Sequence, residues 1–373
     1  MNFVKTSYNS DDVVILLQDI KGKVPILDTA EREKLNQQGV HYSEMLPLEY
    51  RPTEKYMSIY QDSLENLSNL TANGIELLSR KLVSKYKYKP FIIVSLARAG
   101  TPSGILLKRY LKKKYNIDCP HYSVSIIRGK GIDERAMLYI AEHNPEDLPI
   151  QFLDGWIGKG AICRQLQEAV MKLKSTNAKL FGDLDAELAT LSDPACETSL
   201  YGTRQDFLIP SACLNATVSG LISRTVKLKT MTDKDFHGAI YYGEYEDVDK
   251  SKEFIDTVEK YFSMEDRDLF NPSIAESDEN FKGIDEVKRI ASEFRIADVN
   301  KVKPGVGETT RVLLRRLPDR VLIRRGLLGD EGERRNLAHI LQLCEEKHAP
   351  VEEYDLQKYN VCGIIKNIAS SDL

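Results

Sequence analysis

The chain has 373 residues, 42% of them hydrophobic and 29% charged, with a formal net charge of −4. That length suits about two domains with a substantial buried core, and so small a net charge selects no partner by itself. No apolar stretch approaches the roughly 18 residues of a bilayer-spanning helix, and the opening MNFVKTSYNSDD lacks the apolar run of a secretion signal, so the expectation is a cytoplasmic protein with no membrane partner.

In chain order, DDVVILLQDIKG offers Asp11 or Asp12 as a cap, and Val14, Leu17 and Ile20 at helical spacing predict a short amphipathic helix. A second helix is predicted from Asp28 or Thr29 to Gly39, making an N-terminal helical extension. HYSEMLPLEYRP reads as loop, and residues 56–85 as a long helix closed by Lys89-Pro90. FIIVSLA, from Phe91, is a buried strand, followed by the turn ARAGTPSG and the basic helix ILLKRYLKKKY. The pattern recurs with a strand at 122–127, a glycine loop RGKGID, a helix over 133–143, and strand, turn and helix in PIQFLDGWIGKGAICRQLQEAVMKL. DFLIPSACL, from Asp206, is a third short apolar run. The alternation predicts an α/β domain over 1–265 with a mainly parallel sheet and its ligand site at the carboxyl ends of the strands, 97–104, 128–133 and 154–161. An acidic connector is predicted over 266–300, then a smaller α/β domain over 301–373, with two strand-like runs around Pro318-Asp319, a helix over 331–348 and a strand in VCGIIKNIA.

Chemistry concentrates in FLDGWIGKGAI at 152–162, where an acid ends an apolar strand and three glycines and a lysine precede a helix. Backbone N–H groups of Gly155, Gly158, Gly160 and Ala161, the helix dipole and Lys159 suit a phosphate, while Asp154 suits ribose hydroxyls or a magnesium ion. A tight turn whose glycines serve only geometry gives the same letters. The loop Ala97-Arg98-Ala99-Gly100 ends another strand and offers Arg98 to an anion, although a surface arginine is the plainer reading. Arg128, in RGKGIDE, is a further polar group at a strand end.

The six cysteines include no CxxC pair, which argues against a zinc site or a disulfide framework. Cys213 in PSACLN is the candidate thiol nucleophile, with His237, or His121 or His41, as its base; a buried structural thiol is the alternative. Residues 301–325 hold eight Lys or Arg against Glu308 and Asp319. Arg311, Arg315, Arg316, Arg324 and Arg325 are therefore candidate contacts for an RNA backbone, with a solvated strand face as the alternative.

The LARAG loop followed by the D-G-x-x-G-K-G loop resembles the type I phosphoribosyltransferases. That likeness implies a phosphoribosyl diphosphate-like ligand held with Mg²⁺, the 97–100 backbone on pyrophosphate, Asp154 on the ribose and, indirectly, the metal, and 158–161 on the 5-phosphate. The sequence departs from the pattern in having one acid where two are usual, and Ile157 and Gly160 where threonines are expected. Across HYSEMLPLEY, SLARAGTPSG, FLDGWIGKGAI, DFLIPSACLNATVSGLISRT and KPGVGETTR the chain resembles more narrowly the StiP family of bacterial tellurite-resistance and stress gene clusters. This implies a phosphoribosyltransferase-like domain and a C-terminal Pelota-type RNA-binding domain, and the family also carries a cysteine-protease label. The expected activity is transfer of a phosphoribosyl group to a small-molecule acceptor, catalysed through Asp154 and Arg98. The alternatives are a cysteine protease using Cys213, a non-catalytic sensor of the same ligand, and an RNA-associated regulator.

Overall fold

The computed structural model describes residues 2–28, 31–32, 34–35, 38–265 and 280–366. The apolar runs form one six-stranded sheet of β1 (Val14–Ile15), β2 (Ile92–Leu96), β3 (His121–Val124), β4 (Ile150–Trp156), β5 (Ala189–Ser192) and β6 (Tyr201–Thr203). Their order is β1-β3-β2-β4-β5-β6, and every pairing is parallel. All residues of β2, β3 and β5 are buried, as strands covered on both faces must be. The covering helices include α1 (Glu54–Lys85), α2 (Gly100–Tyr115), α3 (Glu134–His143) and α4 (Ala161–Thr176). Thr53 caps α1 by accepting the Tyr56 N–H, and α2 ends on left-handed Asn116 with Lys112, Lys113 and Lys114 facing its negative end. Backbone meets backbone where α1 crosses β6: a Cβ on Gly202 would stand 2.2 Å from the Gly74 carbonyl oxygen.

The chain leaves β2 through α2 to β3 on one side, then returns through α3 to β4 on the other side. The carboxyl ends of β2 and β4 therefore flank the point where strand order reverses, and a crevice opens there.

Two sequence expectations about this domain are corrected. The helix predicted over 11–22 is instead β1 and a second extended piece, Gln18–Asp19, paired to Gly238–Ala239. Val13, Ile15, Leu16, Leu17 and Ile20 are all buried, so apolar contact surrounds the segment and does not form the single stripe a surface helix needs. The run DFLIPSACL is not a strand; it passes through a 3₁₀ turn at Pro210–Ala212, and the last two sheet positions are taken by β5 and β6, which the sequence reading missed. The helix predicted over 28–39 falls partly outside the described residues.

A second core is built by helix α6 (Gly283–Glu293), following α5 (Ser251–Glu259), together with a four-stranded sheet. The strands are β7 (Val302–Pro304), β8 (Pro318–Arg324), β9 (Val351–Tyr354) and β10 (Val361–Ile365), in the order β7-β10-β8-β9. Val287 and Ile290 of α6 pack with Val302, Leu322, Tyr359 and Ile364, so α6 belongs to this unit, and residues 266–279 of the predicted connector lie outside the described residues. The first of the two strand-like runs around Pro318 is in fact helix α7 (Val306–Arg315), with Val306, Thr309, Thr310 and Leu313 buried at helical spacing. The predicted helix over 331–348 is broken into α8 (Glu331–Asn336) and α9 (Ala338–Glu346).

Asp206 joins the two units. Its carboxylate accepts the N–H groups of Val306 and Asn360, both at 2.8 Å, and its own carbonyl accepts the Asn360 amide at 2.9 Å. Gly305, at φ 89, brings this backbone in, and a Cβ there would lie 3.0 Å from the carboxylate. Burial pushes the Asp206 carboxyl up to about 6, against the pull of those N–H donors. A raised folded value means that the native state holds a proton the unfolded chain has released. The contribution of this group to stability is therefore fully present below the unfolded value near 4, and falls as pH rises through 6. Chemical denaturation at pH 5 and pH 7.5 should show the stability of wild type relative to Asp206→Asn declining over that interval, and a difference independent of pH would refute the assignment.

Candidate functional site

The two loops singled out in the sequence do meet. A Cβ on Gly100 would stand 2.5 Å from the Leu153 carbonyl oxygen, and one on Gly155 would stand 3.0 Å from that of Ala99, so only glycine permits the approach. Between them lies a crevice of about 180 Å³ lined by Arg98, Ala99, Trp156, Ser211, Asn215 and Arg311. Arg98 donates to the Ile222 carbonyl at 3.0 Å, while Ala97 continues the sheet by donating to the Val124 carbonyl. Asp154 is half-buried, yet protein surrounds it closely enough that desolvation pushes its carboxyl up to about 7, opposed by the Gly155 N–H and the Arg311 charge.

The glycine loop is not arranged as a phosphate cradle. Lys159 turns away and donates to the Val299 carbonyl at 3.2 Å, and the Gly158 carbonyl accepts the Tyr359 hydroxyl. At the mouth of the loop, a Cβ on Gly160 would stand 2.5 Å from either Glu197 carboxylate oxygen. An anion brought to the N-terminus of α4, which begins at Ala161, would meet that carboxylate. Arg128 is exposed, and its backbone N–H donates to the Tyr42 hydroxyl. Among the described residues no cluster of three or more His, Cys, Asp or Glu is placed to hold a metal ion.

All six cysteines are free and buried. The Cys213 sulfur lies 3.4 Å from the Ser63 hydroxyl, and burial pushes its thiol up to about 12. His237 is not its partner: that ring bonds the Ser125 hydroxyl at 2.8 Å, and burial drives it down to about 3. His121 is committed to Ser95 and the Asp12 carbonyl, and His41 to Ser43. Cys163, in the first turn of α4, is pushed up to about 12 by burial and by the charges of Asp193 and Glu197.

Cys196 differs from the others. It follows β5 at the carboxyl edge of the sheet, in SDPACETS, and has φ 59, a left-handed conformation unusual for a residue with a side chain. Buried Asp193 makes the turn by accepting the N–H groups of Glu197 and Thr198 at 2.8 and 2.9 Å while paired with Arg204. The Cys196 sulfur lies 3.3 Å from the ammonium nitrogen of Lys358, which belongs to the second unit and is 1% exposed. Buried Glu286 fixes Lys358 by accepting the N–H groups of Gln357 and Lys358, both at 2.7 Å. The start of α6 docks on the same turn: Gly283 donates to the Ala195 carbonyl at 2.9 Å and Lys282 to that of Cys196. The sequence reading passed over this pair because Cys196 and Lys358 are 162 residues apart, although a cysteine just beyond the apolar run LATLSD was a signal available to it.

The arginines of 311–325 divide by environment. Arg311 lies over the Trp156 ring, 4.8 Å from its centroid, and Arg324 donates to the Tyr359 and Gln357 carbonyls. Both are built into the protein, whereas Arg316 and Arg325 are exposed; the Arg315 side chain lies outside the described residues.

Comparison with known proteins is consistent with this division into two units. The family model described as the tellurite-like stress resistance cysteine protease StiP matches residues 6–259, and that of the PELOTA RNA binding domain matches 281–367. The cysteine protease StiP of Acinetobacter baylyi is 33% identical over 351 residues, covering 90% of this chain and 88% of that one. No solved structure matches. Both the family and the relative are named as cysteine protease, which overturns the expected phosphoribosyl transfer together with its diphosphate ligand and magnesium-assisted step. Among the described residues no helix is long and apolar enough to cross a membrane. With a family model spanning most of its length and a relative that covers nearly all of it, this chain belongs to the StiP family.

Proposed function

We propose that this protein is a thiol peptidase whose nucleophile is Cys196, with a C-terminal unit that binds RNA. The observation that carries the first part is the Lys358 nitrogen 3.3 Å from the Cys196 sulfur, at the carboxyl edge of a parallel sheet. Thiol nucleophiles act as thiolates, and a neighbouring cation stabilises that form. In the reaction the sulfur attacks the carbonyl carbon of a peptide, the C–N bond breaks, and the departing amine takes the proton carried by Lys358. Water then hydrolyses the thioester and restores the thiol. With Cys196 only 3% exposed, a peptide reaches the sulfur when the contacts of Lys282 and Gly283 with Cys196 and Ala195 open.

On a mixed peptide library, Cys196→Ala should lower hydrolysis by roughly a thousandfold or more. Cys213→Ala and Cys163→Ala should stay within about threefold of wild type, because truncating a thiol away from the chemistry alters packing and not the reaction. Lys358→Met should lose about a hundredfold and move the pH profile, and Lys358→Arg should recover part of the loss. Full activity in Cys196→Ala would dispose of this reading.

The match of residues 281–367 to an RNA-binding domain supports the second part, and the arginines that stay exposed give it a surface. Arg316 and Arg325 are joined by exposed Arg334 and Arg335 on α8. Replacing these four with glutamine should weaken binding of a structured RNA and make the slope of log affinity against log salt shallower by about 0.7–0.9 for each phosphate no longer neutralised. An unchanged salt slope would place the RNA elsewhere.

A further inference from the structure

We propose that Cys196 and Lys358 are the two ends of a reversible oxidative cross-link, a sulfenamide that forms when the protein meets a peroxide. This inference does not depend on the peptidase reading. It rests on three observations about the resting protein. A sulfur and a primary amine, both almost wholly buried, stand 3.3 Å apart. The amine ends a flexible four-carbon stem, so its nitrogen can close on the sulfur while the backbone stays put. That backbone is held by Glu286 at the Lys358 end and by the Asp193 turn at the Cys196 end, so the partners stay opposite one another.

The pair differs from the other thiols in what surrounds it. The neighbour of Cys213 is the hydroxyl of Ser63, which gives an oxidised sulfur no amine to capture it. At Cys196 the neighbour is the Lys358 amine itself.

The chemistry balances with one peroxide. The sulfur attacks one oxygen of hydrogen peroxide, the O–O bond breaks, and Cys196 becomes a sulfenic acid as the second oxygen leaves as hydroxide and is protonated to water. The Lys358 amine, having given up its extra proton, then attacks the sulfur; the S–N bond forms, the S–O bond breaks, and a second water leaves. Thiol, amine and peroxide thus give sulfenamide and two waters, with sulfur oxidised by two electrons and peroxide reduced by two. Condensation of a sulfenic acid with a nearby nitrogen is an established branch of cysteine oxidation. A small-molecule thiol reverses it by attacking the sulfur and expelling the amine.

The product would tie the sheet domain to the C-terminal unit by a covalent bond. It would also protect the sulfur from further oxidation to the irreversible acids.

The test uses the full chain, treated with hydrogen peroxide, capped with an alkylating reagent and digested with trypsin without reductant. The expected product is residues 180–204 joined to residues 348–366, uncut at Lys358, weighing about 2 Da less than the sum of the two peptides with the alkyl cap on Cys362 counted. Fragment ions should place the bond between Cys196 and Lys358. It should disappear on treatment with dithiothreitol, be absent from Cys196→Ser and Lys358→Arg, and persist in Cys213→Ala. Circular dichroism melts show whether each variant is folded, and the wild-type spectrum is decisive without them. Cys196 recovered as a free thiol, or as a sulfenic or sulfinic acid with Lys358 cut normally, overturns the proposal. So does a bond from Cys196 to Lys282, or a Cys196–Cys362 disulfide, which the fragment ions distinguish. Because the readout is a mass, a missing cross-link leaves the peptidase assignment to its own assay.

Discussion

Asp206 is the contact on which the arrangement of the two units turns. Its carboxylate is buried just beyond the last strand of the sheet and caps two backbone N–H groups of the other unit, one opening α7 and one just before β10. Burying a carboxylate is costly unless N–H donors replace its water, and here both donors come from residues 100 and 154 positions away. The position of α7 follows, and with it Arg311 over Trp156 at the crevice between β2 and β4. The approach of Lys358 to Cys196 follows as well, because Lys358 lies two residues before Asn360.

This docking shapes the crevice where parallel sheets usually take their ligands. Arg311 and Trp156 meet in its wall, Glu197 packs against the glycine turn, and Lys159 is drawn to the Val299 carbonyl. The cation that the sequence offered to a phosphate instead satisfies a carbonyl on the second unit. Meanwhile the neighbouring strand end, after β5, holds a cysteine in a turn that Asp193 stabilises, with a lysine delivered from the opposite unit. Burial raises the thiols of Cys163 and Cys213 and keeps His237 and His121 neutral, so the histidine-assisted arrangement expected of Cys213 has no physical support.

Much of the fold was legible. Runs such as FIIVSLA, followed by a glycine-bearing turn and an amphipathic segment, predict a buried strand and its helix because period and composition change together, and α1 to α4 with β2 to β4 stand where that reading puts them. The errors share a cause. DDVVILLQDI has helical spacing of its apolar residues, but it is apolar almost throughout, and burial on every side made it extended. RVLLRR looked like a strand beside Pro318, yet Val312 and Leu313 belong to a helical face that begins six residues earlier at Val306.

The sequence by itself determined the parallel α/β sheet, the presence of a second unit, the close approach of two glycine loops and the family, because each of these is written in local period, in short motifs or in a likeness along the chain. Only the tertiary structure decided which loop residues face a crevice and which are spent on the partner unit, which arginines remain exposed, and which of six buried thiols has a cation beside it. Those properties depend on pairs such as Asp206 with Asn360, Trp156 with Arg311 and Cys196 with Lys358. Each pair lies more than 150 residues apart in the chain, and no local pattern records a contact at that distance.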